Sequence, residues 1–345
     1  MSPTAHIHTL DSNANSSEDG APVALSNVFK ALGDNLRTQI IRLLKDDSLS
    51  VSELCEVFRI RQSALSHHLK ILVAADLVVR RKEGTAVFYR RQLPNGDLRT
   101  LLEQIFLSID TEQLGADLEA GLVRVQRQRE QNSIEFFRDN SARFHQQREL
   151  IASWQDYSDA TLHMIGRCGD LSDALVVEIG PGDGSLLPAL AKIAGRVVAV
   201  DNSPLMLEAA RATASHLSNV DFLLGTSADI RPYLQHGVDA TQSEHLPHVC
   251  SLAVANMVLH HTPDPRNVLT ETASFLRNDG WLVVSELCAH DQVWAREHCG
   301  DLWLGFEPGQ LTQWAGDAGL VNRAELFIAQ RNGFQIQVRL FQRRM

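Results

Sequence analysis

Leu175-Val176-Val177-Glu178-Ile179-Gly180-Pro181-Gly182-Asp183-Gly184 decides how the larger part of this chain folds. An apolar run broken by one acid predicts a buried strand. The three alternate glycines after it predict a tight turn where any side chain would hold a ligand away from the backbone. Downstream the pattern alternates. Ser185 to Ala194 reads as a helix with Pro188 tolerated in its first turn. Val197-Val198-Ala199-Val200-Asp201 is a second buried strand ending in an acid, and Ser203-Pro204 caps and opens the next helix.

Further strands are expected at Val220 to Leu224, Val249 to Ala255 and Trp281 to Ser285. A terminal antiparallel hairpin is expected from Phe327 to Gln330 and Gln335 to Phe341 across Asn332-Gly333. Alternating strand and helix gives a Rossmann-like α/β doubly wound sheet that binds its ligand at the strand C-termini. The glycines at 180, 182 and 184 do not have dinucleotide spacing, in which the third follows the second by three, so another nucleoside is favoured. Asp201, at a strand end, is placed to accept hydrogen bonds from both hydroxyls of a ribose.

At 345 residues the chain has room for two domains. No run of eighteen apolar residues occurs, and Met1 to Leu25 lacks the basic start and apolar stretch of a secretory signal, so the expectation is a cytoplasmic protein with no membrane partner. Cys55, Cys168, Cys250, Cys288 and Cys299 are scattered and odd in number, as reduced thiols are. The net charge of −10 conceals an asymmetry. Residues 1 to 20 carry three acids and no Lys or Arg, while residues 21 to 100 hold 13 Lys and Arg against 8 Asp and Glu, a net +5 on an acidic protein. A basic block of that kind suits a polyanion.

Residues 1 to 20 are polar and aperiodic and are expected to be a disordered tail, His6 and His8 included. From Ala24 the apolar spacing becomes helical, first through Val28, Phe29 and Leu32 and then, after Gly33-Asp34, through Leu36, Ile40, Ile41, Leu43 and Leu44. A third short helix fits Val51 to Phe58, with Ser50 or Ser52 as its cap, and a fourth runs from Ser63 to about Ala75. On that fourth helix Gln62, Ser63, Ser66, His67 and Lys70 fall within about 140° of one another, opposite Leu65, Leu69 and Leu72. Strands Leu77 to Lys82 and Ala86 to Arg91 follow, joined through Glu83-Gly84-Thr85 and loaded with Arg80, Arg81, Lys82, Arg90 and Arg91. Helix, turn, helix and basic hairpin make a winged helix-turn-helix (α+β). Its wing and helix ends would hold phosphates while the polar helix face reads base edges.

Ala31-Leu32-Gly33-Asp34 with Arg37, then Arg61-Gln62-Ser63-Ala64-Leu65-Ser66-His67-His68-Leu69-Lys70-Ile71-Leu72 and the wing, resembles the ArsR family of bacterial repressors over about residues 24 to 95. The resemblance implies a homodimer on double-stranded operator DNA of two-fold symmetry, released by an effector. The expected DNA contacts are Arg61, Gln62, Ser63, Ser66, His67, Lys70, Arg80, Arg81, Lys82 and Arg90. Many members sense metals through two cysteines one residue apart on the third helix. Here Val57 stands two residues after Cys55, and Cys55 is expected to be a packed core thiol. Leu98, Leu101, Leu102, Ile105, Phe106 and Ile109 continue as an amphipathic helix where the family's dimer helix would lie. Thr111 to Gln131 is expected to bridge, and a second helical section begins at Ile134-Glu135-Phe136-Phe137 with Phe144, Leu150 and Trp154.

Glu178-x-Gly180-x-Gly182-x-Gly184, Asp201, Asn256-x-x-x-His260-His261-x-Pro263 and Leu276-Arg277-Asn278-Asp279-Gly280-Trp281, in that order, resemble class I S-adenosylmethionine-dependent methyltransferases over about residues 134 to 345. That resemblance implies S-adenosylmethionine or S-adenosylhomocysteine as ligand. Gly180 and Gly182 would lie against its amino-acid end, Asp201 on the ribose and Glu178 at the amino group, with Gly184, Asn202 and Asn256 completing the set. Thr226 takes the place near the adenine where the family often has an acid, with Asp229 or a backbone carbonyl as substitutes. Methyl transfer to a nucleophilic acceptor needs little acid-base chemistry. His260 and His261 are candidates for catalysis, although neither has a recognisable partner in the sequence and loop or structural roles suit them better. Cys288, His290, His298 and Cys299 match no zinc spacing, so no metal site is expected. Trp294, Trp303 and Trp314 suit core packing better than an acceptor wall.

The expected division is a tail to residue 20, a DNA-binding and dimerisation domain over 21–110, a helical linker and lead-in over 111–170 and the methyltransferase-like domain over 171–345. The fusion resembles S-adenosylhomocysteine-responsive regulators. It implies a repressor that senses an adenosyl ligand; the alternative is an active methyltransferase with an appended DNA-binding domain.

Overall fold

A computed structural model describes residues 20–345 apart from 46, 84, 85, 93, 95, 237–249, 293 and 345, with the backbone alone at 20–24, 83, 133, 134, 137–149 and 297. All but the last residue of the expected tail, and Gly84 and Thr85 of the wing turn, lie outside the described residues. The chain divides into two compact units between Leu122 and Val123.

The first unit runs α1 (Gly20–Leu32), α2 (Asn35–Leu43), β1 (Leu49–Ser50), α3 (Val51–Phe58), α4 (Gln62–Ala74), β2 (Val78–Glu83), β3 (Ala86–Arg91) and α5 (Arg99–Thr111). The Ala31-to-Arg37 motif is a local clasp. Asp34 caps α2 by accepting from the Arg37 N–H at 3.0 Å, and the Arg37 side chain returns to donate to the carbonyls of Ala31 and Lys30 at the end of α1. Ser50 caps α3 in a reciprocal box with Glu53, with contacts of 2.7 and 3.2 Å. Arg59, at φ 52°, ends α3 in the left-handed conformation and turns the chain into α4. Leu65, Leu69 and Leu72 of α4 are buried. β2 and β3 pair antiparallel with Arg80 opposite Tyr89 and Lys82 opposite Val87, and β1 adds on the far side of β3. Helix-turn-helix and wing are therefore present as the sequence led us to expect.

Cys55 corrects one expectation, because it is half-buried and not a core residue; Leu54 and Val57 fill the core from α3 instead. A second correction concerns the bridge. Residues 116–151 form one 36-residue helix, α6 (Ala116–Ile151), where two helical sections were expected. After Gly121 it contains neither glycine nor proline to interrupt it. Gly121 itself has a packing reason, since a Cβ there would come within 2.9 Å of the Val57 Cα.

The second unit continues through α7 (Trp154–Gly166), β4 (Leu175–Ile179), α8 (Leu187–Ile193), β5 (Arg196–Asp201), α9 (Pro204–Thr213), β6 (Val220–Leu224), α10 (Ser227–His236), β7 (Cys250–Asn256), α11 (Pro265–Phe275), β8 (Leu276–Leu287), α12 (Trp294–Cys299), α13 (Pro308–Asp317), β9 (Leu320–Ala329) and β10 (Gln335–Arg343). Its seven strands lie in the order β6-β5-β4-β7-β8-β10-β9. The first five are parallel and β10 is antiparallel to both neighbours.

Strand alternation sorts the core into two layers. Val176, Val197, Leu252 and Val283 pack with α7 and α8 on one face. Val177, Val198, Ala253 and Val284 pack with α10, α11 and α13 on the other. Two strands are longer than expected. β8 pairs from Leu276, opposite Cys250, before Asp279 (φ 61°) and Gly280 carry the chain to Trp281 opposite Leu252. β9 begins at Leu320, but its first half carries the polar Asn322, Arg323 and Glu325, which hide an edge strand from an apolar-run reading.

Candidate functional site

The C-terminal ends of β4, β5 and β7 open into a cavity of about 370 Å³, within the range of small-molecule sites. Gly180, Gly182, Asp201, Asn202, Thr226 and Asn256 line it. Gly180 sits at φ 65° and Gly182 at φ 56°, a conformation that glycine adopts without strain. A Cβ at Gly180 would lie 2.2 Å from the Val258 Cγ2, so a side chain at that position would collide with the cavity wall.

Two expected residues do not line the cavity. Gly184, at φ 78°, packs against α9, where a Cβ would meet the Ala210 Cα at 3.0 Å. Glu178 lies buried beneath the loop, 1% exposed, and its Oε2 accepts no hydrogen bond. Burial, with the nearby charges of Asp183 and Asp201, pushes its carboxyl up to about 8. Burial likewise raises Asp201 to about 6, against the N–H groups of Ser203 and Gly182 that donate to it, the former at 2.8 Å. Asn256 also leaves its buried Oδ1 without a partner. An amide oxygen left without a donor on a residue of the cavity wall suits a ligand that brings its own N–H or O–H groups.

Thr226 lines the cavity while its N–H and hydroxyl donate to Asp229 Oδ2 at 2.8 and 3.1 Å. Asp229 is thus engaged with the Gly225-Thr226 turn. Ser227 Oγ donates to the Glu271 carboxylate, closing the same rim. Residues the sequence reading did not assign to the site complete the wall. Trp154 and Tyr157 of α7 pack edge to face with centroids 5.2 Å apart, and Val123, Gln126, Arg127 and Glu130 come from α6. Trp154 was legible only as part of a helical section and Tyr157 not at all; the α6 residues, spaced as any solvated helix face, had no signal. Trp303 and Trp314 are buried in the core, and Trp294 packs edge to face on Phe334.

His260 and His261 lie in a single 3-10 turn after β7, and both have partners that are remote in sequence. His260 is buried, its Nδ1 2.8 Å from Glu286 Oε2 on β8 and its Nε2 3.9 Å from Asp301 Oδ1. Burial alone would keep the ring neutral, yet Glu286 and Asp301 outweigh it and raise His260 to about 9. His261 lines the cavity, with its Nδ1 3.3 Å from the Gly300 carbonyl and 3.8 Å from Asp301. Cys288, His290, His298 and Cys299 are not brought together as a donor set among the described residues.

In the first unit the residues expected at DNA fall on one helix and the wing. Arg61, Gln62, Ser63, His67 and Lys70 are exposed and Ser66 half-buried around the start of α4. Arg80 and Lys82 are exposed on alternate positions of β2, and Arg81 and Arg90 are half-buried. Arg91 serves within the unit, donating to both oxygens of Asp110 at 2.7 and 3.1 Å.

Comparison with known proteins agrees with both halves. Residues 34–79 match the family described as "Bacterial regulatory protein, arsR family", and residues 140–325 match that described as "Methyltransferase domain". Over 65 residues the chain is 35% identical to the transcriptional repressor SdpR of Bacillus subtilis (strain 168), covering 19% of this chain and 72% of SdpR. Over 66 residues it is 41% identical to the arsenical resistance operon repressor of Staphylococcus aureus, covering 19% of this chain and 64% of that repressor. It spans only 24% of the ribosomal RNA small subunit methyltransferase A of Koribacter versatilis, at 44% identity over 68 residues. Among solved structures, magnesium protoporphyrin IX methyltransferase from Synechocystis PCC 6803, with bound S-adenosylmethionine, aligns at TM-score 0.43 and 16% identity over 61% of this chain and 94% of its own. The chain belongs to the methyltransferase-domain family over its larger, C-terminal part and carries an arsR-family helix-turn-helix ahead of it.

Proposed function

We propose that the protein is a DNA-binding transcriptional repressor whose methyltransferase-like unit binds S-adenosylmethionine or S-adenosylhomocysteine as effector. In this reading Asp201, with Asn202 beside it, takes the ribose hydroxyls. Gly180 and Gly182 admit the amino-acid end of the ligand to the backbone. Glu178, beneath that loop, supplies a carboxylate for the amino group, directly or through water. Thr226 flanks the adenine. The ligand brings a cationic amine and, when it is S-adenosylmethionine, an electrophilic methyl group.

The observation that carries the regulatory reading is α6. Its residues Val123, Gln126, Arg127 and Glu130 line the cavity and follow directly in the chain on Leu122, the last residue of the first unit. The turn before them places Gly121 against Val57 of α3. A ligand touching one stretch of α6 has a covalent route to the winged helix, and a coupling of roughly 1 to 3 kcal/mol would suffice to change operator affinity. On DNA, the α4 face would read base edges and Arg80 and Lys82 would meet phosphates. Phe29 of α1 and Leu107 of α5, 54% and 60% exposed, support a homodimer in which a second copy covers them.

Calorimetry of the full chain with each nucleoside, alongside Asp201→Ala, tests the ligand assignment. We expect saturable binding weakened at least tenfold in the variant, and an absence of binding of either compound to the wild type would refute it. The enzyme reading draws on Trp154, Tyr157 and His261 lining the same cavity, where an acceptor could lie. Transfer of label from the methyl donor to a component of cell extract, lost in Asp201→Ala, would favour it over the sensor.

A further inference from the structure

The cluster behind the cavity wall is not explained by ligand binding. Asp301 is the outlier. Its side chain is 0% exposed, yet neither carboxylate oxygen accepts a hydrogen bond. Leaving a buried carboxylate without donors is costly, so something is expected to compensate it. An imidazolium of His260 bridging Glu286 and Asp301 would do so only in part. It satisfies Glu286 at 2.8 Å, but 3.9 Å to Asp301 is beyond hydrogen-bond range. Arg296 lends Asp301 a favourable charge without hydrogen-bonding to it.

The two imidazoles and Asp301 present ligand atoms that all lie within 4.8 Å of one another. His260 turns its Nδ1 to Glu286, which leaves Nε2 as the nitrogen facing Asp301. That is how an outer carboxylate orients a metal-bound histidine and fixes its tautomer. His261 approaches the same Asp301 oxygen with Nδ1 at 3.8 Å. Bonds of about 2.0 to 2.1 Å in tetrahedral geometry place ligand atoms about 3.4 Å apart, so each imidazole nitrogen needs to close on Asp301 by only about half an ångström, and all three donors start within 4.8 Å of one another. The long 3.3 Å contact of His261 Nδ1 with the Gly300 carbonyl would be given up.

We propose that His260, His261 and Asp301 bind a first-row divalent transition-metal ion, with Glu286 as the carboxylate that orients His260. Two neutral imidazoles, two carboxylates and one divalent cation leave the buried cluster electrically neutral. The donor set of two imidazole nitrogens and one carboxylate oxygen favours zinc, iron or the neighbouring cobalt over calcium or magnesium. The ion would tie the turn after β7 to the segment after α12, directly behind His261 in the cavity wall. The proposal does not depend on the adenosyl ligand.

The test uses the full chain, stripped with a chelator and titrated with Co²⁺ while its visible absorption is followed, then challenged with Zn²⁺. The expected result is one saturable Co²⁺ per chain, displaced by Zn²⁺. Affinity should fall at least tenfold in both Asp301→Asn and His261→Ala and hold in His298→Ala, an exposed histidine outside the cluster. No saturable binding, or wild-type affinity in Asp301→Asn and His261→Ala, overturns the proposal. If either cluster variant fails to fold, X-ray absorption of the Co²⁺-loaded wild type decides. Two imidazole ligands without sulfur support the site, and sulfur ligation or fewer than two imidazoles refutes it.

Discussion

Replacing Glu178 with glutamine keeps the shape of the side chain and removes its proton chemistry, which makes the buried carboxyl beneath the glycine loop measurable. In the folded chain burial first, and then Asp183 and Asp201, hold the proton on Glu178 until about pH 8, whereas the unfolded chain releases it near 4.5. Between those values the folded state binds more protons than the unfolded one. Stability therefore falls as pH rises through that window and levels off above it. At 1.36 kcal/mol per pH unit the full loss is about 5 kcal/mol, comparable with the net stability of a domain. Glutamine is neutral in both states and escapes that loss, whereas Asp201, raised to about 6, contributes the same slope to both proteins. All five tryptophans, Trp154, Trp281, Trp294, Trp303 and Trp314, lie in the second unit, so their fluorescence in urea follows the unfolding of that unit. Glu178→Gln should stay near the wild type at pH 5 and exceed it by several kcal/mol at pH 8.5. Parallel stability curves from pH 5 to 8.5 would refute the reasoning.

Three further substitutions probe other parts of the molecule. Gly180→Ala places a Cβ 2.2 Å from the Val258 Cγ2 at a φ of 65°, so calorimetry should show adenosyl-ligand affinity lowered at least tenfold, with partial recovery on adding Val258→Ala. Lys82→Ala removes one exposed wing cation, so the slope of log affinity for duplex DNA against log salt should shrink by about one, equally for specific and random sequence, as gel shifts over a salt series would show. Gly121→Ala drives a methyl group to within 2.9 Å of the Val57 backbone, so circular-dichroism melts should show an earlier transition in the first unit, a cost of about 1 to 3 kcal/mol.

What the sequence disclosed and what it hid follow from the range of the interactions. Leu175 to Asp201 was legible because a doubly buried strand is a continuous apolar run and a tight turn needs glycine; both are local demands. The winged helix was legible for the same reason, through Leu65, Leu69 and Leu72 at helical spacing and two short strands around a glycine. The partners of His260 were not. Glu286 is 26 residues away on β8, and Asp301 lies in a segment without periodicity, so only the sheet order brings them together. The continuity of α6 is not legible, because its heavily charged sequence offers no apolar stripe running from the bridge through Ile134. Its role at the cavity wall was hidden by the same composition.

In the proposed function a ligand in the cavity of the second unit alters what the first unit does on DNA. The most direct measurement is the affinity of the full chain for duplex DNA carrying its operator, at one fixed salt concentration. It would be taken with no nucleoside and with saturating S-adenosylmethionine or S-adenosylhomocysteine, for the wild type and for Asp201→Ala. The expected result is a change of about 5- to 150-fold with at least one nucleoside in the wild type, shifted to much higher ligand concentration in Asp201→Ala. Identical operator affinity in all three conditions, from a wild-type protein that calorimetry shows to bind the nucleoside, would contradict it.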